Sequence, residues 1–246
     1  MILYREKLQS HIEAVGKLEK IIDRAFKLLE GESRITEYEL KEFILGQYKR
    51  EGLVTDCGNC IVAFRQNTSY VHYLPSQYCL KIKPESLILI DVWARLKKRG
   101  SVYADLTRMA YKGEKLPGEI QVVFEAVRKA RDAVIKKIKH DLSQKKLPLG
   151  KEVDRVARNI ISEQGFEGKF KHALGHSLGY AGPHGTLKGL SPKSRNRLKV
   201  DLPYTIEPGI YLDKKFGVRS EIDFYISTDY EIVLTSKVPG KIKIIS

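Results

Sequence analysis

Three cysteines in 246 residues are too few to staple a chain of this length, and an odd number cannot pair off within it. Cys57-Gly58-Asn59-Cys60 is a single C-x-x-C without the second pair that a structural zinc site needs. It is read as a turn between strands that carries two thiols, with a redox pair or half a metal knuckle as the alternative, and Cys79 is read as core. Long apolar runs are also missing. Stretches such as residues 87–92 are strand-sized and fall far short of the roughly 20 residues that cross a bilayer, so no membrane partner is expected. The N-terminus turns charged at Arg5-Glu6-Lys7 without the apolar stretch of a secretory signal, which points to the cytoplasm. No low-complexity linker breaks the chain, and a 42% apolar composition suffices for a sizeable core.

Basic residues exceed acidic ones, 44 to 30, for a formal charge of +14 that raises the question of an anionic partner. The excess is dispersed. Lys97-Lys98-Arg99, Lys145-Lys146, residues 193–197 and Lys214-Lys215 are short clusters with no helical basic stripe and no interleaved aromatics. That pattern describes a solvated surface and argues against nucleic acid as a partner.

Apolar residues at Leu18, Ile21, Ile22, Ala25, Leu28 and Leu29 recur three and four apart, predicting a helix over 17–30. Thr36 with Glu39 three positions on forms a capping-box pattern for a second helix, with Leu40, Phe43, Ile44 and Tyr48 as its buried stripe and Gly52 as its stop. The period then shortens. Residues 60–65, 87–92 and 102–106 read as strands. The second half repeats the plan: helices over 125–138 and around Val153, Val156, Ala157 and Ile161, then strands at 204–211, 218–227 and 232–235. A shift of 113 residues lays Leu40 on Val153, Phe43 on Val156, Tyr48 on Ile161 and Gly52-Leu53 on Gly165-Phe166, a weak internal repeat. The expectation is a single α+β domain over 1–246, built from two pseudo-symmetric halves of roughly 1–115 and 116–246, with an antiparallel-rich sheet covered by helices.

Carboxylates inside apolar strands need a reason, because burying an unpartnered charge is expensive. Asp91 ends the run Leu87-Ile88-Leu89-Ile90; Asp105 sits in 102–108, Glu207 in 204–211 and Glu221 in 217–223. Between the two pairs, Phe170-Lys171-His172-Ala173-Leu174-Gly175-His176-Ser177-Leu178-Gly179 sets two histidines four apart beside glycines that permit close backbone approach. Taken singly, each has a structural explanation: a capping Asp, a Glu paired with Arg108 or Arg219, a core His.

In order and context these segments resemble the pita-bread metallopeptidases, family M24, which include methionine aminopeptidase, aminopeptidase P and prolidase. The 14-residue spacing from Glu207 to Glu221, with Arg108 and Arg219, is similar to the prolidase and aminopeptidase P branch, here without its N-terminal domain. The resemblance implies a curved pita-bread sheet and two divalent ions, Mn²⁺ or Co²⁺ first and Zn²⁺ or Fe²⁺ as alternatives. By resemblance, Asp91 chelates one ion, Asp105 and Glu221 bridge both, and His176 with Glu207 complete the second. A metal-bridging hydroxide is the implied nucleophile and Glu207 the proton shuttle. His184 would steady the oxyanion, His72 faces the substrate, and His172 matches an extra histidine of the proline-specific members, which makes His72, His172 and His184 catalytic candidates. Arg219 either orients a polar group of the substrate or holds Glu221. The implied substrate is a short peptide, cut at an Xaa-Pro bond by an aminopeptidase or dipeptidase. Methionine aminopeptidase, creatine-hydrolysing chemistry and an inactive binding module are the alternatives, and a homodimer is left open.

The sequence departs from that pattern where Asp-x-Gly becomes Asp91-Val92-Trp93 and where 14 residues rather than about eleven separate Asp91 from Asp105. An enlarged hairpin tip at Lys97-Lys98-Arg99-Gly100 would absorb the insertion and leave both aspartates on strands. His184 also lies eight residues after His176 instead of seven.

Overall fold

The structure of the chain, a computed structural model, describes residues 2–31, 34–56, 59–187 and 189–245, with side chains from residue 6 onward. Cys57 and Gly58 of the C-x-x-C lie outside the described residues. Helix α1, Ile2–Gly31, starts well before residue 17, because Ala14 and Val15 continue the buried face of Leu18, Ile21 and Ile22. Helix α2, Glu37–Arg50, opens on the predicted capping box: Thr36 Oγ1 accepts the Glu39 N–H, and Glu39 reaches back to the Thr36 N–H. The chain leaves α2 through Gly52 at φ +68°, a conformation that favours glycine.

Strands β1 (Leu53–Val54) and β2 (Ile61–Phe64) follow, then a 3₁₀ turn at Arg65–Ser69, and the long hairpin of β3 (Ser86–Leu96) with β4 (Ala104–Lys112). The strand expected at 102–106 therefore starts later and runs further, with both aspartates on strands and the basic cluster at the hairpin tip. Helices α3 (Gly118–Ser143) and α4 (Gly150–Glu163) come next. The 113-residue shift superposes the bounds of α2 on those of α4, and Gly52 on Gly165, which also has a positive φ of 84°. The remaining strands are β5 (Tyr204–Ile206), β6 (Gly209–Leu212), β7 (Phe216–Arg219), β8 (Ile222–Ile226), β9 (Ile232–Leu234) and β10 (Lys243–Ile245).

β1 and β2 both pair antiparallel with β3, and β10 adds parallel to β4; the short β1 and β10 have no signature in the sequence. The expected strands 204–211 and 218–227 are each broken in two. Pro208 has no N–H for a ladder, and Ser220 opposite it donates its own N–H to the Pro208 carbonyl at 3.1 Å. β5 pairs with β8 and β6 with β7 in one common register, so the interruption places Glu207 opposite Glu221.

Strand alternation decides which residues face the site. Ile88, Ile90, Val92 and Ala94 of β3, with Ala104, Leu106 and Ala110 of β4, pack in the core beneath α1 and α2. Leu87, Leu89, Met109 and Tyr111 point the other way, into a core shared with α3, α4 and β5–β8. Asp91, Trp93, Asp105 and Thr107 continue that second face, since Asp91 pairs with Thr107 and Trp93 with Asp105. Cys60 is buried, but Cys79 is only half-buried and not core; its Sγ accepts the Tyr38 N–H at the start of α2. No helix among the described residues is long and apolar enough to cross a membrane.

Candidate metal centre

Asp91 and Asp105 project from the β3–β4 hairpin, and Glu207 and Glu221 from the paired breaks in the second sheet. His176 arrives on a segment bridged to β5. The His176 N–H donates to Thr205 Oγ1 at 3.0 Å, Thr205 returns its N–H to the His176 carbonyl at 2.9 Å, and Glu207 donates its N–H to Leu174 O at 2.8 Å. That contact needs glycine: a Cβ on Gly175 would lie 2.2 Å from the Thr205 carbonyl oxygen, and one on Gly189 would lie 2.3 Å from His176 Cα. The five side chains, together with His72, His184 and Arg219, line one cavity of about 360 Å³.

The chemistry of this cavity is a surplus of acceptors. His176 Nδ1–H donates to Ser177 O at 3.2 Å, which leaves the Nε2 lone pair facing Glu207 Oε1 at 3.5 Å and Asp105 Oδ2 at 3.6 Å. Burial, with the His184 ring 4.1 Å away, lowers the imidazole to about 3, so His176 carries no proton on Nε2 near neutrality. Burial likewise raises the carboxyls: Glu207 to about 7, and Asp105 and Glu221 well above the usual range, each pushed further by carboxylate neighbours. Asp91 Oδ1 is buried without a hydrogen-bond partner. Ligand atoms of Asp105, His176 and Glu221 lie within 4.8 Å of one another. Oxygen-rich donors with one neutral imidazole fit a hard or borderline divalent cation, and Asp91, Asp105, His176, Glu207 and Glu221 are the residues that would hold it.

Arg219 reaches Asp91 rather than Glu221. Its Nη2 forms an ion pair with Asp91 Oδ2, while its Nε donates to Thr107 Oγ1 at 3.0 Å and the Thr107 hydroxyl passes the link to Glu221 Oε2 at 2.7 Å. Thr107 did not stand out in the sequence, although its place two residues after Asp105 on the same strand face is the signal that could have found it. Arg108, on the opposite face, grips the Glu221 carbonyl at 2.7 Å and Glu19 of α1 at 3.2 Å. His72 and His184 are exposed at the cavity and are not core histidines. His172 is not part of the cavity lining. Its Nδ1–H donates to Ala173 O and its Nε2 accepts from the Tyr211 hydroxyl, both at 2.8 Å, with Nδ1 3.7 Å from Glu207 Oε2.

Glu37 was also not singled out in the sequence. Fully buried, it accepts from Phe64 N–H, Asn67 Nδ2, the Tyr73 hydroxyl and Leu80 N–H, and so ties down the segment that carries His72. Asp56 lines the cavity too, taking the indole N–H of Trp93 on Oδ1 at 2.5 Å.

Helices and antiparallel strands that bring four carboxylates and His176 to one cavity define an α+β fold of the pita-bread type with a donor set suited to divalent cations. Residues 10–228 match the family model of Metallopeptidase family M24, and the chain belongs to that family. It is 30% identical over 238 residues to an uncharacterized peptidase of Staphylococcus aureus, covering 93% of this chain and 62% of that relative. Among solved structures it is similar to an X-Pro aminopeptidase of Thermotoga maritima, with TM-score 0.84, 24% identity and coverage of 98% of this chain and 64% of the other. It is also similar to a prolidase of Thermococcus sibiricus, with TM-score 0.83, 28% identity and coverage of 98% and 61%. The chain thus spans a little under two thirds of the length of these relatives.

Proposed function

We propose that this chain is one catalytic unit that hydrolyses short peptides at Xaa-Pro bonds, as an aminopeptidase or dipeptidase, with two divalent ions held by Asp91, Asp105, His176, Glu207 and Glu221. The observation that carries the reading is the meeting of four carboxylates with an unprotonated His176 Nε2 in one cavity. Four negative charges exceed what one divalent cation neutralises, which favours a pair; Mn²⁺ or Co²⁺ suits the donors first, then Zn²⁺ or Fe²⁺. Such ions lower the pKa of a bound water and polarise a carbonyl. The chain's own groups supply the rest. Glu207, a carboxylate of the same cavity, takes a proton and returns it to the departing nitrogen. His184 donates to the developing oxyanion, His72 contacts the substrate from the rim, and His172, held by Ala173 O and Tyr211, flanks Glu207 at 3.7 Å. Arg219 holds Asp91 and, through Thr107, Glu221, so that the ligands are set before any ion arrives.

The Xaa-Pro preference is supported by the likeness to the Thermococcus prolidase and by the Arg108 and Arg219 contexts. Metal-loaded protein incubated with Xaa-Pro dipeptides, Xaa-Pro-Xaa tripeptides and Met-Ala-Ser should cleave the first two. Release of methionine alone would assign it to methionine aminopeptidase instead.

A further inference from the structure

Two residues of α4 hold the segment that delivers His176, and neither lines the metal cavity. Asp154 and Arg158 stand four apart on the helix, acid before base, so that one turn brings them together. Arg158 Nε donates to Asp154 Oδ2 at 2.7 Å and Nη2 to Oδ1 at 3.2 Å, a bidentate pair whose carboxylate is 1% exposed. By itself such a pair adds little to stability, because desolvation offsets the attraction. Its remaining hydrogen bonds set it apart. Arg158 Nη1 donates to Phe170 O at 3.1 Å, Nη2 donates to His172 O at 2.6 Å, and Asp154 Oδ1 accepts the Leu174 N–H at 3.1 Å. These are main-chain groups of alternate residues along one edge of an irregular segment, and the helix satisfies them as a neighbouring strand would. The guanidinium also lies over the Phe170 ring, 4.5 Å from its centroid, and the His172 ring meets the same ring edge-on at 5.0 Å.

The other side of the segment is fixed by the second sheet, where Leu174 O accepts from Glu207 and His176 exchanges hydrogen bonds with Thr205. The main chain is thus held from α4 at residue 174 and from β5 two residues on, and His176 Nε2 leaves it facing Glu207 and Asp105. Helix α2 treats His72 in the same way: its buried Glu37 accepts the N–H groups of Phe64 and Leu80, on either side of that histidine. We propose that Asp154 and Arg158 are positioning residues for His176, setting its main chain so that Nε2 is aimed before any ion binds, and that divalent-ion affinity depends on the pair through His176. The proposal rests on the metal-ligand set of the reading above.

The test uses the full chain, with Co²⁺ alone as the probe. Arg158→Lys keeps the charge and a partner for Asp154 but cannot fork to two carbonyls. It should weaken Co²⁺ binding in calorimetry by about tenfold or more and change the visible absorption of the bound ion, which reports its ligand geometry. Asp154→Asn, which removes the charge that orients the guanidinium, should do the same. Lys137 and Asp141 of α3 form an ion pair at the same spacing, with Asp141 7% exposed, and serve as the control. Asp141→Asn should leave Co²⁺ binding within about threefold of wild type whatever it costs in thermal stability. In a His176→Ala background, Arg158→Lys should change Co²⁺ binding by less than about threefold, because its effect runs through the ring that is gone. Wild-type Co²⁺ binding in both pair variants, an equal loss in Asp141→Asn, or an equal loss with and without His176 would overturn the positioning role even if peptides are cleaved. A wild type that binds Co²⁺ and shows the coupling to His176, yet cleaves no peptide, would overturn the peptidase reading and leave the positioning role standing. A wild type that binds no divalent ion would overturn both.

Discussion

Replacing Glu207 by Gln in the metal-free protein should increase its stability, by an amount that grows with pH. The side chain is 14% exposed, and its Oε1 faces the lone pair of His176 Nε2 at 3.5 Å with Thr205 Oγ1 as a donor at 3.2 Å. Burial, the largest cause, lifts the carboxyl from its ordinary 4.5 to about 7, against the opposing pull of Arg219. The sign follows from proton counting. Between these two values the unfolded chain has released the proton and the folded chain still holds it, so this residue's contribution to stability falls as pH rises toward 7. At about 1.4 kcal/mol per pH unit, the wild type loses roughly 1 kcal/mol by pH 5 and roughly 3 kcal/mol by pH 8. Gln keeps the carbonyl acceptor, turns an N–H toward His176, and does not titrate. For a chain of this size, about 3 kcal/mol corresponds to roughly 6–12 °C in Tm. Thermal and urea melts of both proteins in chelator, from pH 5 to 8, measure the gap. Added Mn²⁺ should reverse it, because cations require the ionised ligand and the variant has lost one. A Gln variant no more stable than wild type at pH 8, or a gap that does not grow with pH, would refute the desolvated carboxylate and the acceptor surplus.

Asp105→Ala or Glu221→Ala should lower the affinity for Mn²⁺ by about two orders of magnitude or more and abolish peptide cleavage with it; metal analysis after dialysis and turnover of an Xaa-Pro peptide test this together. Gly175→Ala should destabilise the fold by more than about 2 kcal/mol and weaken metal binding, since the methyl would force the His176 segment off Thr205; melts and a metal titration measure the two losses. His11 is buried between Tyr103 O and the Thr235 hydroxyl, and burial lowers it to about 4. The unfolded chain gains a proton there below about 6.5, so stability should fall by up to about 3 kcal/mol as pH drops to 4, and His11→Gln should flatten that part of the urea-midpoint profile.

Much of this protein is local physics and therefore legible in the chain. The capping box at Thr36 and Glu39 and the stripe from Leu18 to Leu29 specify helices through neighbours three and four apart. The alternation of Leu87, Leu89, Asp91 and Trp93 puts the aspartate and the tryptophan on one strand face, and the 113-residue shift that aligns α2 with α4 was readable from apolar spacing. The acidic residues and His176 stood out because a carboxylate in an apolar strand demands a partner. What required the tertiary structure was the identity of each partner. Arg219 meets Asp91 across 128 residues and Thr107 meets Glu221 across 114, separations at which no periodicity in the chain carries information. Glu207 and Glu221 face each other only because Pro208 interrupts the hairpin without shifting its register. Asp56 enters the cavity because Trp93, projecting from another strand, holds it there. Side-chain periodicity is set by the backbone a residue belongs to, whereas a site is made where separate backbones pack, and only that packing determines which acceptors converge.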